Sequence, residues 1–217
     1  VLLNAHAFLG KIASAQQIPT SLKLLQNKPQ TSDTMAKFFD QLNDSHTAFI
    51  QQQKLFFTAT APQSGRINLS PKGMDTFRIL TPSKVCYLDL TGSGNETAAH
   101  IAENGRITIM FCSFTENPLI LRLYGQGEVI TPKHPHWQTH IQAFQSMPGM
   151  RQIILMHIDS VQTSCGYAVP LYSYEGQRDT LARWSEKKGE EGIRKYWQER
   201  NQTSIDGLPT HLLDKDT

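Results

Sequence analysis

Two short segments carry the residue types that can hold an anion. The first, Gly65-Arg66-Ile67-Asn68-Leu69-Ser70-Pro71-Lys72-Gly73, reads as a strand running into a turn that bears a hydroxyl, a lysine and a glycine. The second, Leu90-Thr91-Gly92-Ser93-Gly94-Asn95-Glu96-Thr97, is a glycine turn that opens a helix. Unpaired amides at a helix N-terminus, with the hydroxyls of Thr91, Ser93 and Thr97 beside them, form a receptor for an anion. A phosphate monoester also needs a cation, and Arg66 and Lys72 supply one if the two segments are neighbours in space. The same Gly-Ser-Gly-Asn-Glu run is also an ordinary helix start with Asn95 or Ser93 as cap. It is neither a P-loop nor a dinucleotide fingerprint. Gly92-x-Gly94 lacks the third glycine, and the surrounding pattern is antiparallel rather than βαβ.

Other chemistry-bearing residues read more plainly as structure. His134, His136 and His140 fall within seven positions, and His136 and His140 can share a helix face. Pro132 and Pro135 mark a loop entering a helix, and no carboxylate or cysteine stands close by in sequence, so a surface loop is expected there, with no metal. No basic residue adjoins Cys165, so it is expected to be a small buried residue rather than a redox thiol. Trp184 and Trp197 are expected to pack in the core or an interface, with cover for a ligand's edge as the alternative. Gly125 and Gly127, following Arg122, mark a strand approached closely by another backbone or by a ligand.

The elements that must position these residues follow from the hydrophobic period. Phe38, Phe39, Leu42, His46, Phe49 and Ile50 recur at helical spacing and predict a helix over about 34–53. From Lys54 the texture becomes β: runs at 55–60, 66–69, 76–80, 85–90, 106–111, 119–130 and 153–162 are rich in β-branched and aromatic residues. Pro62, Gly65, Gly73, Pro82, Asn104-Gly105, Pro118 and Pro132 punctuate them. Seven strands with short connections imply an antiparallel barrel or sandwich. Helices are expected at 95–103, at about 135–145, and over the mixed-charge tail 179–200, whose polar face is solvated.

At 217 residues the chain has the length of one domain, and a formal net charge of +2 gives no drive toward nucleic acid or an anionic membrane. No window approaches the ~18 consecutive apolar residues of a membrane span. Three widely spaced cysteines, Cys86, Cys112 and Cys165, make no disulfide framework, which fits a cytoplasmic setting. The apolar start closes on Ala13-Ser14-Ala15 in the manner of a signal peptide. It lacks a basic leading region, however, and Asn4, His6 and Lys11 interrupt it. The expected organisation is an arm or leader over 1–34, a barrel domain over 35–170 and a helical extension over 171–217 that packs on the barrel or a dimer partner.

The run R-I-N-L-S-P-K-G, followed by Y-L-D-L-T-G-S-G-N-E-T and then G-R-I-T-I-M-F-C, resembles the FMN-binding proteins related to pyridoxamine 5′-phosphate oxidase. The stretch L-R-L-Y-G-Q-G-E-V-I resembles the next strand of that family, and S-C-G-Y-A-V-P and S-I-D-G-L-P resemble the C-terminal part of one subgroup. The resemblance covers about 49–166. It implies a mainly β (α+β) fold, a split β-barrel of six to seven antiparallel strands in Greek-key arrangement with flanking helices. It also implies a homodimer with FMN at the subunit interface. Carried over residue by residue, it marks Arg66, Ser70, Lys72, Ser93 and Asn95 as FMN contacts, with Thr91 in the same turn. The backbone of Asn68, Leu69 and Ser70 would lie beside the isoalloxazine ring.

The implied activity is FMN-dependent oxidoreduction of a small substrate, the flavin rather than a side chain carrying the redox step. Pyridoxamine phosphate itself is not the expected substrate, because the family's C-terminal Arg-x-His pair has no counterpart around Ser164 to Pro170. The alternatives are a non-catalytic flavin-binding or redox-responsive protein, or a barrel that holds haem or a deazaflavin. Haem needs an axial ligand, and none of His134, His136, His140, His157 and His211 sits in a recognisable haem pattern.

Overall fold

A computed structural model describes residues 36–213. The expected arm or leader over 1–34 lies outside the described residues. In chain order the elements are β1 (Lys37–Phe39), α1 (Asp44–Gln52), β2 (Phe56–Thr60), β3 (Asn68–Lys72), β4 (Phe77–Thr81), β5 (Lys84–Leu90), α2 (Glu96–Asn104), β6 (Arg106–Cys112), β7 (Ile120–Ile130), α3 (Trp137–Ile141), β8 (Met150–Ser164) and α4 (Thr180–Arg200). The strands form one antiparallel sheet in the order β3-β2-β6-β7-β8-β5-β4, with β1 added to the end of β8. This is the split β-barrel with flanking helices. Each of the seven expected runs contributes a strand, and β1 is an eighth. The one expected over 66–69 is shifted to Asn68–Lys72, so Ser70 and Lys72 lie in β3 and not in the turn after it, held there by pairing with β2.

The expected helix over 34–53 is corrected to a strand, a bend and a shorter helix. Phe38 and Phe39 pair with Gln162 and Val161 of β8, and Phe38 is 64% exposed, so the pair does not form a buried helical stripe. Asn43 stops any earlier helix, because its side chain caps α1. Its Oδ1 accepts from the His46 amide at 2.9 Å, while its own N–H donates to His46 Nδ1 at 3.3 Å. Of the stripe, Leu42, His46, Phe49 and Ile50 are buried, Phe39 is half-buried against the core and Phe38 faces out.

The main core lies inside the barrel, where Phe56, Tyr87, Ile109, Phe111, Leu121, Leu123, Ile154 and Met156 interlock, with α1 closing one end through Phe49 and Ile50. Phe77 meets Phe56 and Phe111 edge-on, at 5.1 and 5.0 Å between ring centres. A second cluster, including Leu88, Ile130, Phe144 and Ile153, fills the outer face beneath α3.

Gly125 shows how closely β7 and β8 approach. The register shifts between Tyr124 and Gly125, and a Cβ built on Gly125 would stand 1.9 Å from the His157 carbonyl oxygen. The close approach is therefore that of a neighbouring backbone rather than a ligand. Gly125→Ala is expected to destabilise the fold by about 1–3 kcal/mol, because backbone must move to admit the methyl. Urea unfolding checks this, and an unchanged midpoint would contradict it.

Helix α4 is broken at Gly189, whose φ of 66° and ψ of 172° leave the helical region. After α4, a bridge between Thr203 and Pro209 closes a small hairpin, with the Ser204 N–H donating to the Leu208 carbonyl at 2.8 Å. Among the described residues no helix is long and apolar enough to cross a membrane.

Candidate functional site

Strand pleat decides which residues of the first segment can act together. Successive side chains on β3 point to opposite faces, so Asn68, Ser70 and Lys72 share one face while Leu69 takes the other. A cavity of about 330 Å³ opens against that shared face, lined also by Gly92, Ser93, Gly94, Asn95 and Thr97 of the turn into α2. The structure thus brings together five of the eight expected site residues, Asn68, Ser70, Lys72, Ser93 and Asn95. Leu69 is 66% exposed on the other face. Thr91 is buried behind the turn, where its hydroxyl donates to the Gly149 carbonyl at 2.9 Å and accepts from Trp197 Nε1 at 2.8 Å.

Arg66 lies away from the cavity wall. Its guanidinium pairs with Asp206 of the C-terminal hairpin, and its backbone N–H donates to Asp206 Oδ2 at 2.7 Å. That backbone bond, together with the guanidinium charge, holds the Asp206 carboxyl below the usual carboxylate range.

The floor of the cavity is a buried charge network around Asp89 of β5. Asp89 Oδ1 accepts from Lys72 Nζ at 2.8 Å, and Oδ2 accepts from Arg151 Nε and Nη2 at 3.1 and 2.7 Å and from Gln152 Nε2 at 2.9 Å. Burial alone would raise the Asp89 pKa, but the charges of Arg151 and Lys72 outweigh it and hold the carboxyl well below its ordinary value. Arg151 Nη1 donates onward to the Gly94 carbonyl at 2.9 Å and to Asn201 Oδ1 at 3.0 Å, while Asn201 Nδ2 donates to the Gly92 carbonyl at 3.2 Å. The two glycine carbonyls are therefore pinned from one side. In trans peptides the following amides, those of Ser93 and Asn95, point to the opposite side.

Asn95 occupies the N-cap position of α2, yet its side chain makes no capping bond. Instead Asn95 Oδ1 accepts from Gln152 Nε2 at 2.7 Å, and its Nδ2, fully buried, has no hydrogen-bond partner. The ordinary-helix-start reading with Asn95 as a side-chain cap is thereby corrected, because Gln152 draws that side chain away. Glu96, at the first helical position, turns its carboxylate to the Ile205 N–H at 3.0 and 3.1 Å. The charged side chains lining the cavity, Lys72, Arg151, Asp89 and Glu96, balance one another. What attracts an anion here is a set of donors: amides at the start of α2, the Ser93 hydroxyl and the Lys72 ammonium.

A polar chain runs inward from the cavity. Ser70 Oγ donates to Asn68 Oδ1 at 3.0 Å, and Asn68 Nδ2 donates to Thr97 Oγ1 at 3.1 Å and Thr60 Oγ1 at 3.4 Å. Thr60 Oγ1 in turn meets Nδ1 of the buried His100 at 3.0 Å. This chain fixes the Asn68 rotamer.

Asp89, Arg151, Gln152 and Asn201 escaped the sequence reading. A usable signal was present for the first two: Asp89 interrupts the apolar run V-C-Y-L-D-L, and a charge inside a buried strand must find a partner. Asn201, fifty positions beyond Arg151, gave none.

The remaining candidates lie elsewhere. His134 Nε2 stands 3.5 Å from Glu128 Oε1, and among the described residues no group of three His, Cys, Asp or Glu side chains is placed to hold a metal. Cys165 is corrected from buried to exposed, since it lies just past the end of β8, while Cys86 and Cys112 are buried. Burial pushes the Cys86 thiol up to about 12 and raises Cys112 as well. A water-soluble disulfide reagent is expected to titrate one thiol per native chain and three after denaturation, and two fast-reacting native thiols would contradict this.

Comparison with known proteins gives the family. The family model described as Pyridoxamine 5′-phosphate oxidase matches residues 42–165. A protein of Aspergillus flavus, "Pyridoxamine 5′-phosphate oxidase family protein ustO", is 38% identical in an alignment that covers 81% of this chain and 78% of that one. Among solved structures, HupZ of Group A Streptococcus is 21% identical with a TM-score of 0.45, covering 55% of this chain and 91% of its own. A pyridoxamine 5′-phosphate oxidase-related, FMN binding protein of Nostoc punctiforme is 16% identical with a TM-score of 0.39, covering 51% and 73%. With its family model matched from Leu42 to Cys165, the chain belongs to the pyridoxamine 5′-phosphate oxidase family.

Proposed function

We propose that the chain binds FMN with the phosphate in the cavity between β3 and the N-terminus of α2, and that it acts as an FMN-dependent oxidoreductase on a small substrate. The observation that carries the reading is the start of α2, which lacks a side-chain cap and lines the same cavity as Ser70, Lys72 and Ser93. A phosphate oxygen would satisfy the first-turn amides that no side chain caps. Lys72 and Ser93 complete the donor set, and the resemblance puts the ring beside the Asn68–Ser70 backbone.

Bound FMN supplies reversible uptake of electrons, which none of the side chains lining the cavity offers. The protein's part is to fix the phosphate and hold the Asn68 side chain through Thr97 and Thr60. Arg66 is a reserve cation, held by Asp206 in the present arrangement.

The same reading has the chain working as a homodimer. Phe38, Tyr167, Leu171 and Tyr172 are large apolar side chains, 64–73% exposed in the single chain, which supports a further surface covering them. The extension over 171–217 is assigned to packing on the barrel or the partner. Reconstitution tests the cofactor: purified protein, incubated with FMN and freed of excess, is expected to keep bands near 370 and 450 nm at about one flavin per chain. Absence of a chromophore, or a Soret band from a haem carried through purification, would overturn the reading.

A further inference from the structure

A second cavity lies beyond the Lys72 end of β3, and the flavin reading leaves it unassigned. Its volume is about 750 Å³, within the range of small-molecule sites. One wall is the segment leading into α4, with Tyr174, and the first turns of α4, with Leu181 and Trp184, and the other is the turn between β3 and β4 together with Leu55. Its charged lining residues are Lys54, Lys72 and Arg178, and no carboxylate is among them.

The groove is built from fixed parts. The Gln177 side chain ties its two walls, donating from Nε2 to the Lys54 carbonyl at 3.0 Å and accepting the Met74 N–H at Oε1 at 3.2 Å. Met74 and Asp75 both hold positive φ, 62° and 55°, a conformation that costs non-glycine residues energy and is kept only where surroundings enforce it. Tyr196 meets the Trp184 ring edge-on at 5.2 Å and so fixes it, and Lys54 Nζ lies 5.7 Å from the Tyr174 ring centre.

We infer that this groove binds a planar organic anion, its ring against Trp184 and its acidic group toward Lys54 and Arg178. Charge complementarity selects the sign: Lys72 is paired with Asp89, but Lys54 and Arg178 line the groove with no carboxylate among the lining residues, so an organic cation would meet no counter-charge there. Flat apolar surface selects the shape, because an aromatic body recovers contact with Trp184 and Leu181 that an aliphatic acid of equal charge would not. Pro71 and Lys72 line both cavities, so the two ligands would lie end to end along β3. The inference concerns a second ligand and stands whether or not the first cavity takes FMN.

Calorimetric titration of the full chain with 2-naphthoate, with and without FMN, is the test. One naphthoate per chain is expected, with affinity lowered about tenfold in the Lys54→Gln/Arg178→Gln double variant and in Trp184→Ala. Trp184→Phe is expected to retain most of it. Naphthylmethylammonium is expected to bind at least about tenfold more weakly than naphthoate. Equal binding of the cation, or undiminished binding by the variants, would overturn the inference. So would displacement of naphthoate by inorganic phosphate, because the anion would then occupy the first cavity. Binding in flavin-free protein that fails to take FMN would keep this inference and remove the flavin reading.

Discussion

Replacing Arg151 with methionine is expected to lower the free energy of unfolding by about 3–5 kcal/mol, the cost of leaving a buried carboxylate without its main partner. Both members of the pair are nearly inaccessible, Arg151 at 3% and Asp89 at 2%. Methionine keeps the packing volume, so the loss reports the charge and its hydrogen bonds rather than a hole. Arg151 also holds the Gly94 carbonyl and Asn201, and the variant should loosen the turn and the tail together. Urea unfolding at neutral pH measures the effect, and a loss under about 1 kcal/mol would contradict the network.

The same pair gives a pH signature. The folded-state pKa of Asp89 lies below its ordinary 3.8, so its contribution to stability is fully present above that value and is lost as pH falls through the depressed folded value. In Arg151→Met the upward push of burial faces Lys72 alone, and the carboxyl rises. The acid-unfolding midpoint of the variant is therefore expected at higher pH than that of the parent. A common midpoint would show that Asp89 is not the group being titrated.

Lys72→Ala is expected to weaken FMN binding by about 10–100-fold, the loss of one charge-assisted contact to phosphate. Arg66→Ala is expected to change it by no more than about threefold, because Arg66 is exposed and its guanidinium is engaged by Asp206. Flavin fluorescence titration gives both constants. Melting curves of the flavin-free variants separate lost binding from lost fold, since Lys72 is also a partner of Asp89. Equal losses from the two variants would move the phosphate out of the cavity and toward Arg66. The resemblance alone treats the two cations alike, and the asymmetry comes from the structure.

That difference shows where sequence legibility ended. The β-rich run and the turn signals around it were enough to place a strand near Asn68 and the helix after Gly94, but not the strand's face, because Ser70 and Lys72 were expected in the turn beyond it and lie within β3. The helical period misread Phe38 and Phe39, because a three-residue strand at the end of β8 is set by a partner more than 120 positions away. The cap signal that ends the error, Asn43-Asp44-Ser45, was local and legible. The Arg66–Asp206 pair and the hold of Asn201 on the Gly92 carbonyl join residues 140 and 109 positions apart. Neither periodicity nor composition reports such contacts, since both depend on how the tail folds back over the barrel.

The most direct test of the central claim compares FMN with riboflavin, which has the same ring and no phosphate, in parallel titrations of flavin-free protein. Phosphate held by Lys72, Ser93 and the backbone amides at the start of α2, that of Asn95 included, predicts that FMN binds at least about 100-fold more tightly than riboflavin. It also predicts that Lys72→Ala narrows the gap. Riboflavin binding as tightly as FMN, with Lys72→Ala indifferent to the pair, would contradict the assignment of that cavity to the phosphate.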